Sequence, residues 1–156
     1  MRLRVVSVGQ RMPGWVSDAW HDYARRMPRE LSLELREIPL QKRGKNADLA
    51  RLKRDEGRAL LAATSSGDHL VALDGRGKPW STEQLAGHLE TWMGQGSDAC
   101  FLIGGPEGHD PDCLARTHQR WSLGALTLPH PLVRVVLAEQ LYRAWTIING
   151  HPYHRA

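Results

Sequence analysis

The sequence predicts an α/β fold, a mostly parallel sheet flanked by helices. Two observations carry that prediction. Segments of strand character alternate with segments of helical periodicity along the chain, in the order β-α-β-α-β-α-β-α-β-α, and such alternation is the pattern of parallel βαβ units. The chain has 156 residues, enough for one sizeable core and too few for two. No internal repeat or low-complexity linker divides it, so residues 1–156 are read as a single domain.

Each element has its own local signal. Arg2 to Val8 is a β-branched run closed by Gly9, a strand. From Trp15 to Met27, apolar Trp15, Val16, Ala19, Trp20, Tyr23 and Ala24 recur at helical spacing, and Pro28 ends the helix. Leu31 to Ile38 alternates apolar and polar residues, as a half-exposed strand near a sheet edge does. Lys42-Arg43-Gly44-Lys45 is a basic loop, after which Asn46 is positioned to cap a helix over Ala47–Ala63. That helix has a mostly apolar face of Leu49, Leu52, Glu56, Ala59, Leu60 and Ala63, and a basic face of Arg51, Lys53, Arg54 and Arg58.

His69 to Asp74 reads as a third strand ending at Gly75, and Ser81 with Gln84 forms a capping-box signature for a helix to about Met93. Ala99 to Ile103 is an apolar strand ending at Gly104-Gly105, and Pro111 to Thr117 a short helix. Ser122 to Leu128 reads as the fifth strand. Pro131 opens the final helix, where a proline costs little. That helix is apolar nearly all round from Leu132 to Ile148, with a narrow polar stripe at Glu139, Arg143 and Thr146. Such a helix needs cover on more than one side, and a two-fold homodimer is the simplest source of it.

Bulk properties narrow the function. Residues 1–60 carry 14 Lys and Arg against 8 Asp and Glu, whereas residues 61–156 carry 7 against 9. The basic half is a candidate polyanion surface. No apolar stretch approaches the ~20 residues that span a bilayer, and the first residues lack the apolar core of a signal peptide. No membrane partner is therefore expected, and the expected compartment is the cytoplasm. Cys100 and Cys113 are the only thiols and form neither a disulfide framework nor a zinc pattern. His151 and His154 lack a third ligand nearby, so no metal is expected.

Chemistry in a parallel sheet is expected beyond the carboxyl ends of its strands. Three strand ends stand out: Leu73-Asp74-Gly75, Ile103-Gly104-Gly105-Pro106-Glu107-Gly108 and Leu126-Thr127-Leu128-Pro129. No dinucleotide fingerprint, Walker-type phosphate loop or nucleophile elbow is present. The segment Tyr153-His154-Arg155, beyond the final helix, places a phenol, an imidazole and a guanidinium side by side.

Leu102-Ile103-Gly104-Gly105-Pro106-Glu107-Gly108, the run from Leu126 to Val136, Glu139 to Trp145, and His151-Pro152-Tyr153-His154-Arg155 together resemble the large-subunit rRNA methyltransferase H family, of the SPOUT superfamily. Val8-Gly9 with Met12-Pro13, and Gly44-Lys45-Asn46-Ala47-Asp48, match it as well. The resemblance covers essentially the whole chain. It implies a homodimer with a C-terminal trefoil knot (the SPOUT, or α-β knot, fold), which threads the chain in a way ordinary folds avoid. It implies that S-adenosylmethionine is used to methylate N3 of a pseudouridine in a hairpin loop of 23S rRNA, on the assembled ribosome. Carried over by motif, the cofactor contacts Leu73, Gly104, Leu123, Gly124, Ala125, Leu126, Thr127 and Leu128.

The acceptor is an imide nitrogen that must lose its proton. His154 is the candidate base. Arg155 is placed to stabilise the anion or hold a phosphate, and Tyr153 to stack on or hydrogen-bond to a base. His130, beside the cofactor turn, is a weaker candidate. If the dimer pairs the final helices, the tip is expected to work in its partner's pocket. A knotted enzyme acting on another RNA, and a ribosome-binding assembly factor without turnover, are the alternatives.

Overall fold

Strand and helix alternate along residues 1–155, which the computed structural model describes; Ala156, the last residue of the expected domain, lies outside them. The elements are β1 (Arg2–Val8), α1 (Gly14–Arg26), β2 (Ser32–Ile38), α2 (Leu49–Ala62), β3 (His69–Pro79), α3 (Thr82–Gln95), β4 (Ala99–Ile103), α4 (Pro111–Ala115), β5 (Gln119–Ser122) and α5 (His130–Ile148), followed by a 3-10 turn over Pro152–His154. The strands lie in the order β2-β1-β4-β3-β5, and each neighbouring pair is parallel.

Strand alternation sends side chains to two cores. Leu3 and Val5 of β1 join Phe101 and Ile103 of β4 and Val71 of β3 beneath α1, α3 and α5. Val6, Val8, Cys100, Leu102 and Leu70 point the other way and meet Leu60 of α2 and Cys113 of α4. Both thiols are free and buried, and burial pushes that of Cys100 up to about 12. The sequence places the 31–38 strand near an edge, and β2 is one edge of the sheet.

Several boundaries differ from the sequence expectation. The run from Ser122 to Leu128 is not the fifth strand: β5 is Gln119–Ser122, and the apolar residues after it form a loop. An apolar run marks an apolar environment, and here that environment is a cavity. β3 continues past Gly75 to Pro79 through a register shift between Leu73 and Lys78. Gly77 permits this, since a Cβ there would lie 2.6 Å from the Arg120 carbonyl carbon. Helix α2 is capped by Asp48, whose carboxylate accepts from Arg51 N at 3.1 Å, whereas Asn46 lies in the turn before it. Helix α1 ends before Met27, which is extended (ψ 143°), as the residue before a proline prefers to be.

Helix α5 packs against α1 and α3. Every residue from Pro131 to Ile148 is buried or half-buried in the single chain. Leu137, Ala138, Leu141 and Ala144 are fully buried, and the half-exposed apolar side chains include Leu132, Val133, Val135 and Val136. Arg134 is buried at 1% exposure. It donates to Glu37 Oε2 at 2.8 Å, to Ser7 Oγ at 3.1 Å and to the Gly9 carbonyl at 3.3 Å. The chain therefore leaves the β5 edge, crosses the carboxyl ends of β3 and β4, and is tied to the ends of β1 and β2.

Candidate active site at the strand ends

That crossing encloses a cavity of about 380 Å³, within the size range of small-ligand sites. Leu73, Asp74 and Gly75 of β3 form one wall. Ile103, Gly104, Gly105, Gly108 and His109 form the next. Leu123 to Leu128 close the third, and His130 and Val133 of α5 complete it. All eight residues expected to contact a cofactor line this one cavity.

The glycine turn after β4 is a tight fit. A Cβ at Gly104 would lie 3.1 Å from the Gly108 backbone, and one at Gly105 would lie 2.9 Å from Glu56 Oε1. Glu56 is 3% exposed and receives Arg43 Nη2 at 3.0 Å. Arg43 also donates from Nε to both oxygens of Glu107, which holds the Glu107 carboxyl below its usual range. Arg43 is thus committed to the turn and is not part of the free basic surface, unlike exposed Lys42, Lys45, Arg51 and Arg54. The sign of this pairing in the sequence is Glu56 itself, an acid on the apolar face of α2.

Two histidines border the cavity. His130 Nε2 bonds to the Gly104 carbonyl oxygen, so the ring fixes the turn, and burial pushes its pKa down. His109 was not singled out by the sequence pattern. It is 5% exposed, its Nε2 bonds to the Leu102 carbonyl at 3.1 Å, and its Nδ1 has no hydrogen-bond partner among the described residues. Burial lowers its pKa as well. Leu126 stands 82% exposed at the cavity wall, an apolar side chain with little cover from its own chain.

The Tyr153-His154-Arg155 tip does not line the cavity of its own chain. Tyr153 folds back on α5: its hydroxyl donates to Glu139 Oε1 at 3.0 Å. Its ring centroid lies 4.6 Å from that of Tyr142 and 4.9 Å from the Arg143 guanidinium carbon. Burial, then its hydroxyl contacts, push the phenol pKa upward. His151 Nδ1 accepts from Tyr153 N at 3.1 Å and caps the turn. His154 is half-buried with Nδ1 unpartnered among the described residues, and Arg155 is exposed. The anchor at Glu139 is ~13 Å along the helix axis from His130 at the cavity. The structure brings the eight cofactor candidates together but keeps the three catalytic candidates apart from them within one chain.

No group of three or more His, Cys, Asp or Glu side chains with metal-binding geometry occurs among the described residues. No helix is long and apolar enough to cross a membrane among them.

A family model described as "Predicted SPOUT methyltransferase" matches residues 1–154. A protein of Pseudomonas entomophila (strain L48), named ribosomal RNA large subunit methyltransferase H, is 58% identical over 155 residues, 99% of this chain and 100% of the relative. A protein of the same name from Pseudomonas putida (strain W619) is likewise 58% identical over 155 residues, with the same coverage.

Proposed function

Because the chain belongs to the SPOUT methyltransferase family, we propose that it methylates N3 of a pseudouridine in a hairpin loop of 23S rRNA, using S-adenosylmethionine and acting on the assembled ribosome. The observation that carries this reading is the convergence of three strand-end turns on one cavity, in a chain 58% identical to proteins named for rRNA methylation. The cavity offers what an adenosyl group requires, apolar walls with backbone donors and acceptors between them. Leu73, Gly104 and Leu123 to Leu128 hold the cofactor in this reading. S-adenosylmethionine supplies a methyl group on a positively charged sulfur. His154 takes the imide proton and Arg155 stabilises the resulting anion or holds a phosphate. Tyr153, expected to stack on or hydrogen-bond to a base, instead anchors both, since its hydroxyl is committed to Glu139 and its ring to Tyr142.

Since the tip lies away from its own cavity, the reading requires a homodimer. The half-exposed face of α5 at Leu132, Val135 and Val136 is the surface we assign to it, and the tip of one subunit completes the cavity of the other. The crossing from β5 to α5 is the segment we assign to the trefoil knot. The reaction belongs in the cytoplasm, where ribosomes work and buried free thiols stay reduced.

Calorimetry with S-adenosylmethionine, alongside methyl transfer to purified ribosomes, tests the reading. Cofactor binding and a methyl on N3 of a 23S pseudouridine are expected. Binding without transfer would leave a non-catalytic ribosome factor. A methyl on a different RNA would leave a knotted enzyme of other specificity.

A further inference from the structure

Arg11 holds a backbone conformation that no other non-glycine residue shares among the described residues: its φ is +57°. That left-handed region disfavours any residue with a Cβ outside the small polar types. A long charged side chain kept there, and exposed, is a costly conformation of the kind that clusters at functional sites. The loop is held at its two flanks. Gly9 N donates to the Ile38 carbonyl at 2.7 Å and Val16 N to the Pro13 carbonyl at 2.9 Å, while the Gly9 carbonyl accepts from Arg134. It sits at the carboxyl end of β1, beside β4. A Cβ on Gly9 would lie 3.9 Å from His130 Cε1, and His130 lines the cavity, whereas Arg11 does not. The loop therefore backs onto the cavity wall, with its cation outside the cavity.

We propose that Arg11 is a substrate-positioning residue, whose guanidinium takes a backbone phosphate of the RNA strand that carries the acceptor base. Phosphate contacts set the register of a nucleic acid without reading its sequence. A cation on a turn whose Gly9 backs onto His130 sets that register relative to the cavity. The inference rests on the RNA-methylation reading above.

Arg11→Gly removes the charge and relieves the backbone, and Arg11→Lys keeps the charge. Single-turnover methyl transfer is measured against ribosome concentration at several salt concentrations, with saturating S-adenosylmethionine. Arg11→Gly is expected to melt no lower than the wild type and to bind cofactor equally by calorimetry. Its half-saturating ribosome concentration should rise severalfold with the maximal rate nearly kept, and its salt slope should fall by about one. Arg11→Lys should recover most of the loss. Wild-type half-saturation and salt slope in Arg11→Gly would overturn the proposal while leaving the methylation reading intact. So would lost cofactor affinity, which would place the guanidinium on the cofactor carboxylate. Absence of transfer by the wild type would remove both.

Discussion

Arg43 donates from Nε to the two carboxylate oxygens of Glu107 at 2.8 and 3.0 Å, and so fastens the loop before α2 to the glycine turn after β4. The same guanidinium neutralises Glu56 beneath Gly105. One side chain therefore ties α2 and the loop before it to the glycine turn that lines the cavity.

Arg43→Ala should leave the Glu56 carboxylate buried without a cation, at a cost of about 3 kcal/mol. Melting temperature and cofactor affinity should both fall. Neutralising exposed Arg51 and Arg54 should instead weaken ribosome binding and flatten its salt dependence, with cofactor affinity unchanged. Thermal melts, calorimetry and salt titrations separate the two effects, and equal cofactor loss in both variants would refute the division.

Acid should destabilise the fold through His109 and His130. Burial lowers both folded pKa values below the usual 6.5. Above pH 6.5 the rings are neutral in both states. Below it the unfolded chain takes protons that the folded chain refuses, so stability is lost as pH falls through the folded values. His109→Gln should flatten this loss in denaturant melts between neutral and mildly acidic pH. An unchanged slope would show that the His109 ring does not carry it.

Val136→Glu should give a folded monomer that binds cofactor and does not transfer methyl, because an unpaired charge at a buried interface costs several kcal/mol. Light scattering with circular dichroism reads the outcome. Leu141→Glu is a different experiment: Leu141 is fully buried within its own chain, so a charge there breaks the core. A folded, active wild-type monomer would contradict the dimer assignment.

The buried middle of the sheet was legible in the sequence because β4 is apolar on both faces and β1 carries the β-branched run Val5-Val6 and Val8, and the capping box of α3 was legible because Ser81 and Gln84 are local partners. β5 was not, since Gln119-Arg120-Trp121-Ser122 is a short edge strand with little alternation, and the apolar Leu123–Leu128 next to it lines a cavity. Local pattern cannot separate an apolar wall from an apolar strand. Nor could it show the partners of Arg43 and Arg134, which come from elements far apart in sequence. The site turns were visible as glycine and proline runs at strand ends. The separation of the tip from them follows from the length of α5 and the fold-back of Tyr153, which only coordinates reveal.

A mixed dimer tests the central claim, methyl transfer to 23S rRNA at a cavity completed by the partner's tip. One subunit carries Leu126→Arg, at a wall position 82% exposed, and the other carries His154→Ala with Arg155→Ala. The two are coexpressed with different tags and the heterodimer is purified. Each parent dimer should be inactive towards ribosomes. The heterodimer joins one intact cavity to one intact tip and should recover about half of the wild-type activity, as one of two equivalent sites in a closed dimer. An inactive heterodimer, or full activity in the parent that lacks His154 and Arg155, would contradict the account.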